Sequence, residues 1–179
     1  SAVGSGGVIF LPYLSGELQP VNDGYARGVF FGLSFNTGAA DIVRATLEGV
    51  AFAIAHNLHT IRQMDIAIDR IRAVGSPARN PLWCQIIADV TGRAVEVIPG
   101  SVGAPLGNAL LCAAALKLID DPAATAQALY DDVRVFAPQA AAHEQYTRLF
   151  EVYRALYPAL KSPFARLQSV MDGGKPDPK

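Results

Sequence analysis

The middle of the chain alternates short β-favouring segments with helical ones, and this alternation most limits the possible fold. Strands are predicted at 71–74 and 94–98, among helices at 39–63, 81–91 and 104–118. Strands and helices that alternate in this way predict a βαβ arrangement with parallel strands and right-handed crossovers. Two earlier β-favouring segments, 8–14 and 27–35, could pair as a hairpin. The expected fold class is therefore α/β.

The first long helix has a stripe of apolar residues, and a polar residue and a glycine interrupt its apolar sequence. Asn36, Thr37 and Gly38 offer its caps, and its apolar residues recur at steps of three and four. Glu48 and Gly49 interrupt it on a neighbouring face, where a glycine costs about 1 kcal/mol relative to alanine. Close packing of Gly49 against another element would explain that cost. The predicted stripe consists of Val43, Leu47, Val50, Ile54, Leu58 and Ile61.

The carboxy-terminal third is predicted to be helical up to about Leu160. A short helix is expected to start at 120–122, and the last one at Ala140, with Tyr146, Phe150 and Tyr153 at helical spacing. From Lys161 the composition is typical of a tail. We therefore expect one lobe at 1–162 and a partly disordered tail at 163–179.

Composition and charge exclude several classes of function. The 15 Lys+Arg against 16 Asp+Glu give a net charge of −1, so no basic face for nucleic acid is expected. The longest apolar run, 104–116, is too short to cross a bilayer and contains Asn108. Cys84 and Cys112 both fall in predicted helices and are expected to be small buried residues in a reducing compartment. The expected location is the cytoplasm.

A glycine turn at 75–80 is the main candidate for chemistry. The strand 71–74 runs into Gly75, and a helix is expected to start at Asn80 and Pro81. A strand, a glycine turn and a helix amino terminus bring backbone N–H groups close to a nucleotide in α/β proteins. The alternative is a turn glycine without a ligand.

Several ordered motifs resemble the FGGY family of carbohydrate kinases. They include FLPYLSGE at 10–17, ARGVFFGL at 26–33 and VRATLEGVAF at 43–52, together with Asn22 and Asp23. The segment 75–85 is similar to the family's adenosine motif, and 103–109 to its next glycine-containing segment. The resemblance covers residues 8–118 and is greatest to the carboxy-terminal half of the xylulokinase branch.

The resemblance implies an actin-like ATPase (ribonuclease H-like) fold, with a mixed sheet and flanking helices. Such kinases have two lobes and transfer the γ-phosphate of ATP, with Mg²⁺, to a hydroxyl of a sugar or polyol. The catalytic aspartate and the phosphate loops of the family have no counterpart here. The chain is thus expected to be one lobe that needs its amino-terminal lobe as partner, with no catalytic residue and no metal ligand of its own. A homodimer stays open.

Two alternatives keep the same fold. In the first, the substrate is another polyol, such as glycerol, gluconate or rhamnulose, instead of the ketopentose D-xylulose. In the second, the lobe no longer binds ATP and is a regulatory or assembly module. Ser76 stands where the family usually has a second glycine, and Pro77 follows it and removes a backbone donor.

By resemblance, the residues expected to contact the nucleotide lie around the turn and after the next strand. Asn80 has two interpretations, since it is a favoured helix N-cap before Pro81 and can also contact the adenine. Arg79 either lies over the adenosine or is solvated. The expected nucleotide-binding residues are Gly75, Ser76, Arg79, Asn80 and Gly103.

Glu17 and Arg27 are the candidates for a role in the cleft. The family commonly has Gly-Glu-Arg at this point, whereas here Leu18 replaces the arginine. The loss removes a planar set of donors that can hold a carboxylate or phosphate. Arg27 is one candidate to substitute for it, and a structural role is the alternative for both residues.

Overall fold

The computed structural model describes residues 1–98, 104–128 and 133–173. Within them, five strands and five α-helices follow one another, with short 3₁₀ helices at Ser5–Gly7 and Ser76–Arg79. No helix of the described residues is long and apolar enough to cross a membrane. In chain order the elements are β1 (Ile9–Leu11), β2 (Val29–Phe31), α1 (Ala39–Arg62), β3 (Arg70–Ala73), α2 (Pro81–Thr91), β4 (Ala94–Val97), α3 (Ala104–Ala115), α4 (Pro122–Ala128), β5 (Arg134–Phe136) and α5 (Ala140–Met171).

Two small sheets organise the strands. β1 and β2 form the antiparallel hairpin that the sequence suggested. β3 and β4 are parallel and joined through α2, which confirms the βαβ unit. β5 pairs antiparallel with β4, so the second sheet is mixed, in the order β3-β4-β5. Sequence analysis missed β5.

The buried face of α1 differs from the predicted stripe. Val43 is 64% exposed, whereas Glu48 and Phe52 are almost fully buried. Gly49 is the point of closest approach, because a Cβ there would lie 2.4 Å from the carbonyl oxygen of Phe10 in β1. The expectation that close packing explains this glycine is confirmed. Alanine and glycine form most of the buried face, consisting of Ala45, Glu48, Gly49, Ala51, Phe52 and Ala55.

Glu48 is a buried carboxylate with four donors around it. It accepts hydrogen bonds from the Gly4 N–H, the Ser5 hydroxyl, Arg44 Nε and the Tyr146 hydroxyl, at 2.7–3.0 Å. A buried charge is tolerated when it is paired and fully hydrogen-bonded, as here. The network ties α1 to α5 and to the amino-terminal segment.

α5 is the longest helix and extends beyond the predicted end at Leu160. It continues to Met171 through Pro158 and Pro163, and Phe164 is buried in the core. The segment predicted as a tail is therefore helical up to Met171, and residues 174–179 lie outside the described residues. The prediction for Cys112 is wrong, since this side chain is exposed on α3, whereas Cys84 is buried.

Candidate nucleotide site

The Gly75 turn lies at the carboxyl end of a parallel strand, as expected. Gly75 follows β3 with φ +80°, a left-handed conformation that is strained for residues with a Cβ. The chain then forms the 3₁₀ helix Ser76–Arg79 and enters α2. In open α/β sheets, ligands bind outside the carboxyl ends of the strands. The turn therefore lies at the end of the strand where ligands bind in open α/β sheets.

Asn80 is the N-cap of α2. Its Oδ1 accepts the backbone N–H of Trp83 at 3.3 Å, and Pro81 occupies the first helical position. The structural interpretation of Asn80 is thus met. The cap uses Oδ1, and the exposed side chain keeps its amide donors, so an adenine contact stays a proposal.

Cys84 connects the turn to α2 through a contact of its thiol. Its Sγ lies 3.5 Å from the carbonyl oxygen of Ala78, within the 3₁₀ helix. Burial raises the pKa of the Cys84 thiol, so the reactive thiolate is disfavoured. Cys84 is a packing residue of the turn rather than a nucleophile.

An apolar cavity of about 190 Å³ lies beside the turn. Ala73, Val74 and Ala78 line it from the turn and its strand, and Ile54 closes it from α1. Trp83 also lines it, with a buried indole Nε1 that has no hydrogen-bond partner among the described residues. A buried N–H without a partner is uncommon and needs an explanation. Sequence analysis placed Ile54 in the apolar stripe of α1 and did not identify it as part of a site.

β3 is also an edge strand of its sheet as far as the chain is described. It pairs with β4 on one side, and the sheet order places no described strand on the other. An unpaired strand edge presents free backbone donors and acceptors to another segment. The turn and the cavity therefore both adjoin β3, the edge strand of this sheet.

The structure describes only some of the other residues that are predicted to bind the nucleotide. Arg79 is exposed at the end of the 3₁₀ helix. Ser76 begins that helix, and its side chain is not among those described. Gly103 lies outside the described residues. A Cβ at Gly107, the next glycine, would meet no described residue within 4 Å, so packing against the described part of the chain does not explain that glycine.

Glu17 and Arg27 have partners within their own loop and on α5. The Glu17 carboxylate accepts the Gln19 N–H at 3.1 Å. The Arg27 guanidinium donates to the carbonyl oxygens of Gly24 and Ala26 at 2.8 Å, and to Gln168 Oε1 at 2.9 Å. Arg27 therefore braces the loop against α5, and its role in the cleft stays a proposal.

Comparison with known proteins assigns this chain to a family. A model of the FGGY family of carbohydrate kinases, C-terminal domain, matches residues 1–116. The chain belongs to this FGGY family. A xylulose kinase of Staphylococcus epidermidis is 29% identical over 95% of this chain and 34% of its own length. One of Escherichia coli is 41% identical over 58% of the chain and 22% of its own length. A glycerol kinase of Rhodopirellula baltica is 35% identical over 77% of the chain and 26% of its own length.

Solved structures confirm the fold of an FGGY carboxy-terminal lobe, which is the actin-like ATPase fold. A ligand-bound xylulose kinase of Lactobacillus acidophilus matches 93% of this chain and 34% of its own, at TM-score 0.80 and 26% identity. A gluconate kinase of the same species matches equal shares, at TM-score 0.79 and 26% identity. Plasmodium falciparum glycerol kinase with ADP matches 87% of this chain and 31% of its own, at TM-score 0.71 and 28% identity. The FGGY chain described here thus spans about a third of the length of its relatives.

Proposed function

We propose that this chain is the adenosine-binding lobe of an ATP-dependent sugar kinase, with D-xylulose as the substrate of the complete enzyme. The observation that carries the proposal is the left-handed Gly75 turn at the carboxyl end of β3, in a chain that belongs to the FGGY family. Xylulose kinases among the relatives support the sugar, and a relative solved with ADP supports the nucleotide.

The turn and its cavity fit one end of a nucleotide. The absent Cβ at Gly75 leaves the backbone accessible, and the apolar walls suit the face of a purine. At about 190 Å³ the cavity is smaller than a usual ligand pocket of roughly 300–1,000 Å³, which fits a site completed by a second lobe. The Trp83 indole N–H would then gain an acceptor on the ligand or on that lobe.

This lobe positions the ATP, and it does not carry out the chemical step. ATP, when bound, supplies the phosphoryl group, and Mg²⁺ is held mainly by the other lobe. The Gly75 turn orients the adenosine, and closure of the two lobes excludes water from the reacting phosphate. Glu17 and Arg27 stay proposals for the wall of the cleft.

The substrate is tested with the complete protein that contains this chain. ADP release is measured with D-xylulose, glycerol, gluconate and rhamnulose, each over a range of concentrations. We expect the highest kcat/KM with D-xylulose, since specificity is the ratio of these values. Turnover of another polyol with no turnover of D-xylulose would contradict the proposed sugar and retain the kinase.

A non-catalytic module is the second candidate, favoured by Ser76 and Pro77 at the turn. Proline restricts the residue before it and removes one N–H from the segment that faces the nucleotide. Titration of the complete protein with ATP distinguishes the two. Saturable binding supports the kinase, and no binding at millimolar ATP would support the module.

A further inference from the structure

A cavity of about 380 Å³, larger than the one beside Gly75, lies at the far end of the same parallel strands. The end of α1 and the end of α2 form two of its walls, and the beginning of α5 forms the third. Leu58 and Phe150 contribute apolar surface, while His59 and His143 contribute imidazole rings. Its volume is in the range of small-molecule sites.

Two guanidinium groups without a described partner border this cavity. Arg62 at the end of α1 and Arg93 before β4 line both the cavity and an adjoining hollow of about 270 Å³. Their guanidinium groups make no hydrogen bond or ion pair with another described residue, unlike Arg44, Arg148 and Arg154. A guanidinium presents a rigid set of donors that matches phosphate and carboxylate oxygens. The pair therefore favours an anionic group.

Gly92 and His143 define the wall beside Arg93. Gly92 ends α2 at φ +63°, and a Cβ there would lie 2.6 Å from the His143 ring. The imidazole Nδ1 lies 2.8 Å from the carbonyl oxygen of Asp89, an atom that can only accept. Nδ1 therefore carries the hydrogen, which leaves Nε2 of the neutral ring as an acceptor for a hydroxyl.

The carboxylates around this cavity disfavour a ligand whose polar groups are all negatively charged. Asp65 and Asp69 line the adjoining hollow, and Glu151 borders the cavity, where it pairs with Arg154 at 3.5 Å. Carboxylates accept hydrogen bonds from hydroxyl groups and repel bare anions. Two free guanidiniums among such acceptors suit a molecule with one anionic group and several hydroxyls.

We propose that this cavity binds a small hydroxylated anion, such as a sugar phosphate or a sugar acid, at a site separate from the adenosine turn. Residues 66–69 and 92–93 precede β3 and β4, whereas Gly75 follows β3. Four strand residues separate the two ends, a distance of about 13 Å at roughly 3.3 Å per residue. The site goes beyond the proposed kinase function and does not depend on it.

The test uses NMR spectra of the backbone amides of the complete protein that contains this chain, during titration with ribose 5-phosphate, gluconate and, as a neutral control, ribitol. We expect saturable shifts at Thr91, Gly92 and Arg93 with one or both anions, and none with ribitol. The two anions distinguish a phosphate ester from a carboxylate as the recognised group. Arg62→Gln and Arg93→Gln should each weaken binding about tenfold or more, because a charge-assisted donor pair is lost. Arg148→Gln, on an exposed turn of α5, is the matched control and should leave the affinity unchanged.

Four results would overturn the proposal. Three are no saturable shift with either anion, shifts confined to 75–80, or an affinity in the Arg62→Gln and Arg93→Gln variants equal to that of the unaltered protein. Binding of ribitol as tightly as the anions would also contradict it, since the guanidiniums would then have no role. Unchanged unfolding midpoints of the variants establish that lost binding is not lost folding.

Discussion

At the scale of single residues, Asn80 connects stability to nucleotide recognition. As the N-cap of α2, its Oδ1 accepts the Trp83 N–H. Asn80→Ala should therefore lower the free energy of unfolding by about 1 kcal/mol. Asn80→Ser keeps a capping oxygen and should cost only a few tenths, while removing the amide donors. Urea unfolding of both variants measures the cap. If Asn80→Ser retains stability but weakens ATP binding, Asn80 also contacts the adenine; unchanged binding restricts it to the cap.

His56 is a second residue with a defined consequence, here for the dependence of stability on pH. Its ring lies 6.3 Å from those of Phe150 and Tyr153, and burial, followed by the charges of Arg154 and His59, lowers its pKa below the ordinary 6.5. The folded state therefore favours the neutral ring. Its contribution to stability is present above pH 6.5 and is lost as the pH falls from there through the folded pKa.

We expect wild type to lose stability between about pH 7.5 and about pH 5, a window centred on imidazole titration. His56→Gln removes this titration and should lose less stability over the same window. His59→Gln keeps the buried ring, removes only the smallest of the three causes of its lowered pKa, and is the matched control. Urea midpoints at the two pH values provide the measurement, and equal losses in wild type and His56→Gln would contradict the assignment.

At the scale of elements, the end of α5 tests how far the core extends. Phe164 is 5% exposed, whereas Leu167, three residues later, is 51% exposed. Phe164→Ala should therefore cost about 3–5 kcal/mol, as for other buried aromatics. Leu167→Ala should stay within about 0.5 kcal/mol, because exposed substitutions have small effects. Comparable small effects for both in thermal unfolding would mean that residues 163–171 are the tail that composition suggested.

The sequence predicted some elements to within a residue and failed on others for physical reasons. The predicted bounds of α2, 81–91, agree with the structure, because Asn80 and Pro81 are strong local signals of a helix start. β5 has three residues and little alternation, so only its pairing with β4 defines it. The composition after Lys161 suggested an end of α5 at about Leu160, which the burial of Phe164 overrides. The buried face of α1 consists mostly of alanine and glycine around Glu48, so the spacing of large apolar residues did not predict it.

The candidate site shows the same division. Gly75 and Asn80 were identified because a left-handed turn and a helix cap have local signals. The apolar walls from Ile54 and Trp83 come together only through packing of α1 on α2, which no local pattern records. The contact of Arg27 with Gln168, 141 positions away in sequence, likewise has no local signal.

At the scale of the whole molecule, the chain has the features of a lobe that works with another. It spans about a third of the length of its relatives, and its described part leaves several large apolar side chains exposed on the β1–β2 hairpin and the loops beside it. Large exposed apolar patches mark interaction surfaces. Among them are Leu14, Leu18, Phe31, Leu33 and Phe35. The open edge of β3 and the small cavity beside Gly75 fit the same interpretation.

The central claim is that the Gly75 turn holds the adenosine of ATP, and steady-state kinetics of the complete protein test it most directly. Gly75→Ala places a Cβ on a backbone at φ +80°, in the segment proposed to face the nucleotide. Gly173→Ala has the same strain, at φ +74° beyond the end of α5, and is the control. The account predicts that Gly75→Ala raises the KM for ATP about tenfold or more, with the KM for sugar unchanged and Gly173→Ala like wild type. An unchanged KM for ATP in Gly75→Ala would contradict it.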